Sequence, residues 1–179
     1  MKRSVYVVLG AATLLLGGCV TPSGEVPGES GGTWLTTDIA DSGGRILARA
    51  NIAQRSNGIA VRVSAMGLSP GTYAAHVHAV GRCDGPGFTS AGAHWNPTGR
   101  QHGKDNPAGM HQGDMPNLMV GADGRGSFEF TIRNARITGG TTPLLDTDGA
   151  AVVIHASPDD HRTDPAGNAG SRIACGLLG

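Results

Sequence analysis

The 179-residue chain has no surplus of charge of either sign: 14 Lys and Arg stand against 14 Asp and Glu. Nothing in that balance suggests the excess of basic residues with which proteins grip nucleic-acid phosphates, and no nucleic-acid partner is expected. Helical periodicity is also missing. Beyond residue 32, no stretch of 11 or more residues repeats its apolar positions every 3.6, which argues against a helical domain. The one long apolar run, Val5 to Leu16, is too short to span a bilayer comfortably. Cysteine is scarce, with only Cys19, Cys83 and Cys175.

What is present begins with a segment outside the fold. Lys2 and Arg3 precede the apolar run, as in an export signal, and the run ends in Leu16-Gly17-Gly18-Cys19. This tetrapeptide resembles the bacterial lipobox, in which cleavage precedes a cysteine that is then lipidated. Residues 1–18 are therefore expected to be a lipoprotein signal peptide. The lipid on Cys19 is the expected membrane anchor, and Val20 after it resembles lipoproteins sent to the outer membrane, at its periplasmic face. A plain secretory signal that discards Cys19 is the alternative. Both readings export the chain. Residues 19–32 are rich in Pro, Gly, Ser and Glu and read as a flexible tether, leaving one domain over 33–179. Without Lys2 and Arg3, 12 basic residues face 14 acidic ones. In an oxidising compartment Cys83 and Cys175 are expected to pair, with Cys83 as a metal ligand the other reading.

The domain reads as all-β. Short alternating or β-branched runs occur at 33–40, 45–53, 58–65, 72–78, 117–121, 127–133, 150–156 and 172–175, broken by turn residues. Ser56-Asn57-Gly58 and Ala122-Asp123-Gly124 carry hairpin signals. About eight antiparallel strands at this spacing predict a Greek-key β-sandwich or flattened barrel. Two segments, 79–116 and 157–171, are too long and polar to be ordinary turns and need something other than a core to hold them.

Histidine supplies that something. Five of the seven histidines fall between Tyr73 and Asp114. His94, His102, His111 and Asp114 recur amid Gly, Pro and Asn, and three imidazoles with one carboxylate make a closed zinc site. His76 and His78 sit two apart on a predicted strand, so both leave one face. His155 ends another strand. Imidazoles without a carboxylate favour copper, which suits nitrogen ligation and tops the divalent affinity order.

Ala75-His76-Val77-His78, Gly92-Ala93-His94-Trp95-Asn96-Pro97, His111-Gln112-Gly113-Asp114, Val153-Ile154-His155 and the run from Gly167 to Gly176 together resemble the ordered motifs of copper/zinc superoxide dismutases. The resemblance covers essentially the whole of 33–179. It implies copper on His76, His78, His94 and His155, and zinc on His94, His102, His111 and Asp114, with His94 as the bridging imidazolate. It further implies a disulfide between Cys83 and Cys175. Asp159 would link a copper-side imidazole to a zinc-side one, with Asp160 as the adjacent competitor. Arg172 would attract the anionic substrate, superoxide, and with His94 would carry the catalysis. Ala74 and Ala75 replace the glycine and bulky aromatic common before the first ligand pair, and a steering lysine has no counterpart. His161 matches no ligand and reads as an exposed loop residue, while Trp95 and Phe88 read as loop anchors. The implied protein is a monomer or homodimer that dismutes superoxide to oxygen and hydrogen peroxide. A non-catalytic copper- and zinc-binding envelope lipoprotein is the alternative, which would not need Arg172.

Overall fold

The computed structural model describes residues 34–179. The expected signal peptide (1–18), the lipidated Cys19 and the tether (19–32) lie outside the described residues. Nine strands follow in order: β1 (Leu35–Ala40), β2 (Ile46–Arg55), β3 (Gly58–Ala65), β4 (Gly71–Tyr73), β5 (Ala75–His78), β6 (Leu118–Val120), β7 (Gly126–Arg133), β8 (Ala150–His155) and β9 (Arg172–Leu178). Seven of them form one antiparallel sheet in the order β5-β8-β9-β1-β2-β3-β7, and β4 pairs with β6 alone. From β3 the chain crosses to the far edge at β5 and returns to β7 beside β3, the connection of a Greek key. Both hairpin signals hold: Arg55 pairs with Gly58 across Ser56-Asn57, and Gly121 N donates to Arg125 O at 2.8 Å between β6 and β7.

The run expected as one strand over 72–78 is two strands in different sheets. The break is Ala74, whose N–H donates to Ser157 O at 2.9 Å and whose carbonyl accepts from His155 N at 3.0 Å. Its backbone is spent on the second long loop and on the end of β8, so β4 and β5 part there. The final strand runs past Cys175 to Leu178, where Ala150 pairs with it. A third long connection, 134–149, was not marked by the sequence. It is pinned by the Gln54 amide, which donates to Ala135 O at 3.2 Å and accepts from Ile137 N at 2.8 Å, and by Leu144 in the core.

Apolar alternation decides which face each strand buries. Ile39, Ile52, Ile59, Leu118 and Ile154 are fully buried in the main core. Strand β8 shows why its sequence is continuously apolar: Ala150, Val152 and Ile154 face that core, whereas Ala151 and Val153 face a second cluster with Phe88, Ala91 and Cys175. This second cluster lies under the first long loop, and Phe88 anchors it as expected.

Cys83 and Cys175 are joined as a disulfide across 92 residues of sequence. Cys83 is thus no metal ligand. The link ties the first long loop to β9 two strands in from the sheet edge. Replacing both cysteines by serine should destabilise the metal-free protein by up to ~4 kcal/mol from lost loop-closure constraint. Calorimetry should record a fall in Tm on the order of 10 °C. A fall too small to resolve would mean that the loop is held without its covalent tie.

Candidate metal centre

Strand β5 lies at an edge of the large sheet, so one row of its backbone groups has no strand partner. The first long loop fills that row twice. Trp95 N donates to Val77 O at 2.8 Å, Val77 N donates to Gly113 O at 2.9 Å, and Gly113 N donates to Trp95 O at 2.8 Å. Isolated bridges accordingly face His78 with His94 and His76 with Asp114. Gly113 is required at this crossing, because a Cβ there would stand 2.3 Å from Val77 O. Backbone hydrogen bonding thereby brings residues 16 and 38 positions apart to the same strand edge.

Ala75 and Val77 turn into the core, which sends His76 and His78 to the opposite face. There they meet His94 and His155, and one ligand atom from each of the four lies within 4.8 Å of the others. The orphaned atoms define this group: His76 Nδ1, His78 Nε2, His94 Nε2 and His155 Nε2 are buried without a hydrogen-bond partner among the described residues. The opposite nitrogens are engaged. His78 Nδ1 lies 2.9 Å from Gly92 O, His155 Nδ1 3.3 Å from Gly170 O, and His76 Nε2 2.9 Å from Asp159 Oδ2. A neutral imidazole that donates from one nitrogen presents a lone pair at the other, so these partners assign the tautomers and aim the lone pairs inward. Orphaned buried nitrogens are costly, and a metal ion is the ligand that would satisfy several together.

A second group shares His94. Asp114 Oδ1 lies 2.9 Å from His94 Nδ1, 3.0 Å from His102 Nδ1 and 3.2 Å from His111 Nδ1. Its other oxygen accepts from Gly103 N at 2.9 Å and His111 N at 3.0 Å, which fixes the carboxylate. His102 Nδ1 is misaligned for a hydrogen bond despite its distance and is itself an orphan. The second group whose ligand atoms all lie within 4.8 Å of one another is His76, His94, His102 and Asp114, without His111. His76 has one nitrogen in the first group and the other on Asp159, whereas His111 Nδ1 stands 3.4 Å from His94 Nδ1 and 3.2 Å from Asp114 Oδ1.

Asp159 spans the two groups. Its Oδ2 meets His76 and its Oδ1 lies 2.9 Å from His102 Nε2. Asp160, by contrast, turns outward to Thr163 and Asn168. Gly167 closes over the Asp159 carboxylate with φ +63°, and a Cβ there would fall 1.8 Å from Asp159 Oδ1. His161 is not the exposed loop residue expected. Its N–H donates to Asp159 Oδ1 at 2.6 Å, and its Nδ1 stands 3.2 Å from Oδ2. Asn117, which sequence reasoning missed, exchanges two hydrogen bonds with the Asp159 backbone at 2.8 and 2.9 Å. An asparagine beside a strand carries no signal of such a role.

Burial sets the protonation of the metal-free chain. Desolvation pushes His78 down to about 2, His94 to about 4 and His155 to about 3, and lowers His76 as well. All four are neutral at physiological pH. Desolvation also pulls on His102, but the Asp114 and Asp159 carboxylates on either side outweigh it and lift it to about 9. Burial alone would raise Asp114, yet its three imidazole partners hold it well below the usual carboxylate range. Asp159 is depressed in the same way by His102 and His76.

Arg172 begins β9, paired with His155. Its guanidinium donates to Phe88 O at 2.8 Å and to Gly92 O at 2.7 Å, the latter being the carbonyl that also holds His78. It lines an open depression with Pro86, Gly87, Thr89, Gly170 and Ser171.

Comparison with known proteins agrees with this arrangement. The family model described as copper/zinc superoxide dismutase (SODC) matches residues 44–178. Cu-Zn superoxide dismutase 1 of Aquifex aeolicus is 41% identical over 145 residues, covering 79% of this chain and 85% of the relative. The Cu-Zn superoxide dismutase of Caulobacter vibrioides is 38% identical over 146 residues, covering 80% and 84%. Among solved structures, a SOD-like protein from Bacillus subtilis superposes with a TM-score of 0.76 at 36% identity, covering 82% of this chain and 99% of the other. The chain belongs to the copper/zinc superoxide dismutase family.

Proposed function

We propose that this protein dismutes superoxide, with copper held by His76, His78, His94 and His155 and zinc held by His94, His102, His111 and Asp114. The observation that carries the reading is the division of one imidazole: His94 Nε2 belongs to the four-nitrogen group and His94 Nδ1 to the group around Asp114. A carboxylate in a closed four-donor set suits zinc, and a set of imidazoles alone suits copper. When bound, copper supplies a one-electron couple: one superoxide gives up an electron and leaves as oxygen, and a second takes that electron with two protons and leaves as hydrogen peroxide.

The chain's own residues supply the rest. His94 can hold a proton at Nε2 while Nδ1 stays with Asp114, so it both orients the site and delivers a proton. His78 and His155 are fixed through Gly92 O and Gly170 O and keep their lone pairs inward. Arg172, anchored by two carbonyls, keeps its planar charge at the mouth of the depression and attracts a small anion. Its positive charge reaches the rings of His78 and His155. A store for metals needs none of this, and the anchored arginine therefore favours the enzyme over the non-catalytic alternative. We place the protein in the bacterial envelope on the lipid of Cys19.

Arg172→Glu should lower kcat/KM for superoxide by about 10- to 100-fold, since it reverses the attracting charge, while Arg172→Lys keeps most of the rate. Elemental analysis should find both metals retained in each variant. Added salt should slow the wild type, and the glutamate variant should lose or invert that dependence. Full activity in a metal-replete Arg172→Glu protein would remove the arginine from the mechanism.

Zinc must displace the proton that His102 carries in the metal-free chain. Because the folded value is raised to about 9, that proton is bound at neutral pH and lost only as pH climbs through 9. Zinc binding at pH 7 should therefore release about one proton, and zinc affinity should rise with pH up to that point. Titration calorimetry in two buffers of different ionisation enthalpy measures the release; none would refute the protonated state.

Cys19→Ser should move the expressed protein from the detergent phase to the aqueous phase in a detergent-phase separation, because one thiol carries the anchor. An aqueous wild type would show that the leader is a plain secretory one.

A further inference from the structure

Each imidazole of the centre has two nitrogens, and the outer partners can be accounted for one by one. His76 and His102 meet Asp159, His78 meets Gly92 O, His155 meets Gly170 O, and His94 spends both nitrogens on the two groups. His111 remains. Its Nδ1 joins the Asp114 group, and its Nε2 faces a carboxylate that nothing so far has used: Asp164 Oδ1, at 3.9 Å. The same oxygen accepts the backbone N–H of His102 at 2.6 Å. One carboxylate oxygen on the second long loop thus touches the backbone of one imidazole residue and faces the ring of another, both carried by the first long loop.

We infer that Asp164 is a positioning residue of the zinc site, acting as the outer carboxylate partner of His111 and as the backbone anchor of His102. This rests on the reading of the Asp114 group as the zinc site. The chemistry is that of Asp159 on His102, repeated for the remaining ring. A carboxylate at Nε2 keeps the proton on that nitrogen, leaves the lone pair on Nδ1 and raises the basicity of the inner nitrogen. At 3.9 Å the pair is longer than a hydrogen bond, and a ring drawn onto zinc through Nδ1 needs a shift of about 1 Å to close it. Asp164 is about half exposed, with 46% of its side chain accessible, so its charge is screened and its effect falls on the one ring it faces rather than on the fold.

The geometry also predicts what Asp164 does not do. It has no contact with His76, His78 or His155 among the described residues, so the copper-side donors should be indifferent to it. Asp159 serves both groups; Asp164 serves only one.

The test uses the full chain loaded with copper and zinc, and competition with a chromogenic zinc chelator gives the zinc Kd. Asp164→Asn keeps an acceptor oxygen for His102 N–H but removes the charge facing His111, and it should raise the zinc Kd by about tenfold. Asp164→Ala loses both contacts and should raise it by about 100-fold. In the asparagine variant, copper content, the copper electron paramagnetic resonance spectrum and the Tm of the metal-free protein should match the wild type, which a general structural defect would not allow. A zinc Kd within about threefold of wild type for Asp164→Asn would overturn the inference. So would a loss of copper equal to the loss of zinc. A wild type whose zinc is unaffected by His111→Ala would instead sink the reading of the site itself, and the two failures are therefore distinguishable. Should the alanine variant fail to fold, the asparagine variant alone decides.

Discussion

The centre depends on the unpaired edge of strand β5. An edge strand presents backbone donors and acceptors that must find partners when buried, and here the partners come from the long loop rather than from another strand. Two returns of that loop, at Trp95 and at Gly113, satisfy Val77 on both its groups. His94 and Asp114 are the chain neighbours of those two residues. Their arrival beside His78 and His76 is therefore a consequence of backbone pairing. The disulfide from Cys83 to Cys175 and the small apolar cluster around Phe88 then hold the start of the same loop against β8 and β9. A loop of this length survives in a small domain because its polar backbone is spent on the sheet edge.

Burial gives the donors their chemistry. Isolated histidines on a surface titrate near neutrality and divide their time between protein and water. Here desolvation keeps His76, His78, His94 and His155 neutral, and carbonyls, Asp159 or Asp114 take the nitrogens that face away. The lone pairs left inward have no partner among the described residues. Such orphans cost stability in the metal-free fold, and binding that satisfies them returns that stability, so metal affinity and folding free energy are coupled. His102 behaves oppositely because two carboxylates flank it. In the proposed zinc site, proton and metal compete at that ring and not at those four.

Much of this was legible in residue order. The alternation in β2, β3 and β7 and the two turn signals give strands whose bounds match for β3 and differ by a residue or two for β2 and β7. The histidines were legible because ligands need particular side chains, and side chains are what a sequence records. What escaped notice has a common physical character. Ala74 breaks a strand through where its backbone bonds lead, which its identity does not encode. Gly92 O and Gly170 O orient two histidines as carbonyls, a group every residue owns. Asn117 and Asp164 are ordinary loop residues whose roles come from contacts 42 and 62 positions away. His161 matches no ligand motif and its polar loop predicts exposure, yet it packs on the carboxylate that links the two groups.

The two donor groups are joined by more than one thread, and the joints form a circuit. From His76, the path runs through Asp159 to His102, through Asp114 to His94, and back to His76, whose ring lies 4.0 Å from that of His94. A single shared imidazole could pivot about its own axis, and the two groups could then drift apart independently. With Asp159 as a second tie, rotation of His94 would have to displace Asp114, and with it His102 and the carboxylate that orients His76. Gly167 packs directly on that carboxylate, where even a methyl group would overlap it. The circuit therefore resists loosening of either group alone, and it gives His94 a fixed frame in which the only inexpensive change is at its own Nε2. That nitrogen is the one atom of the centre that the proposed chemistry requires to gain and lose a proton. Rigidity around the circuit and freedom at one of its atoms are thus two results of the same set of contacts.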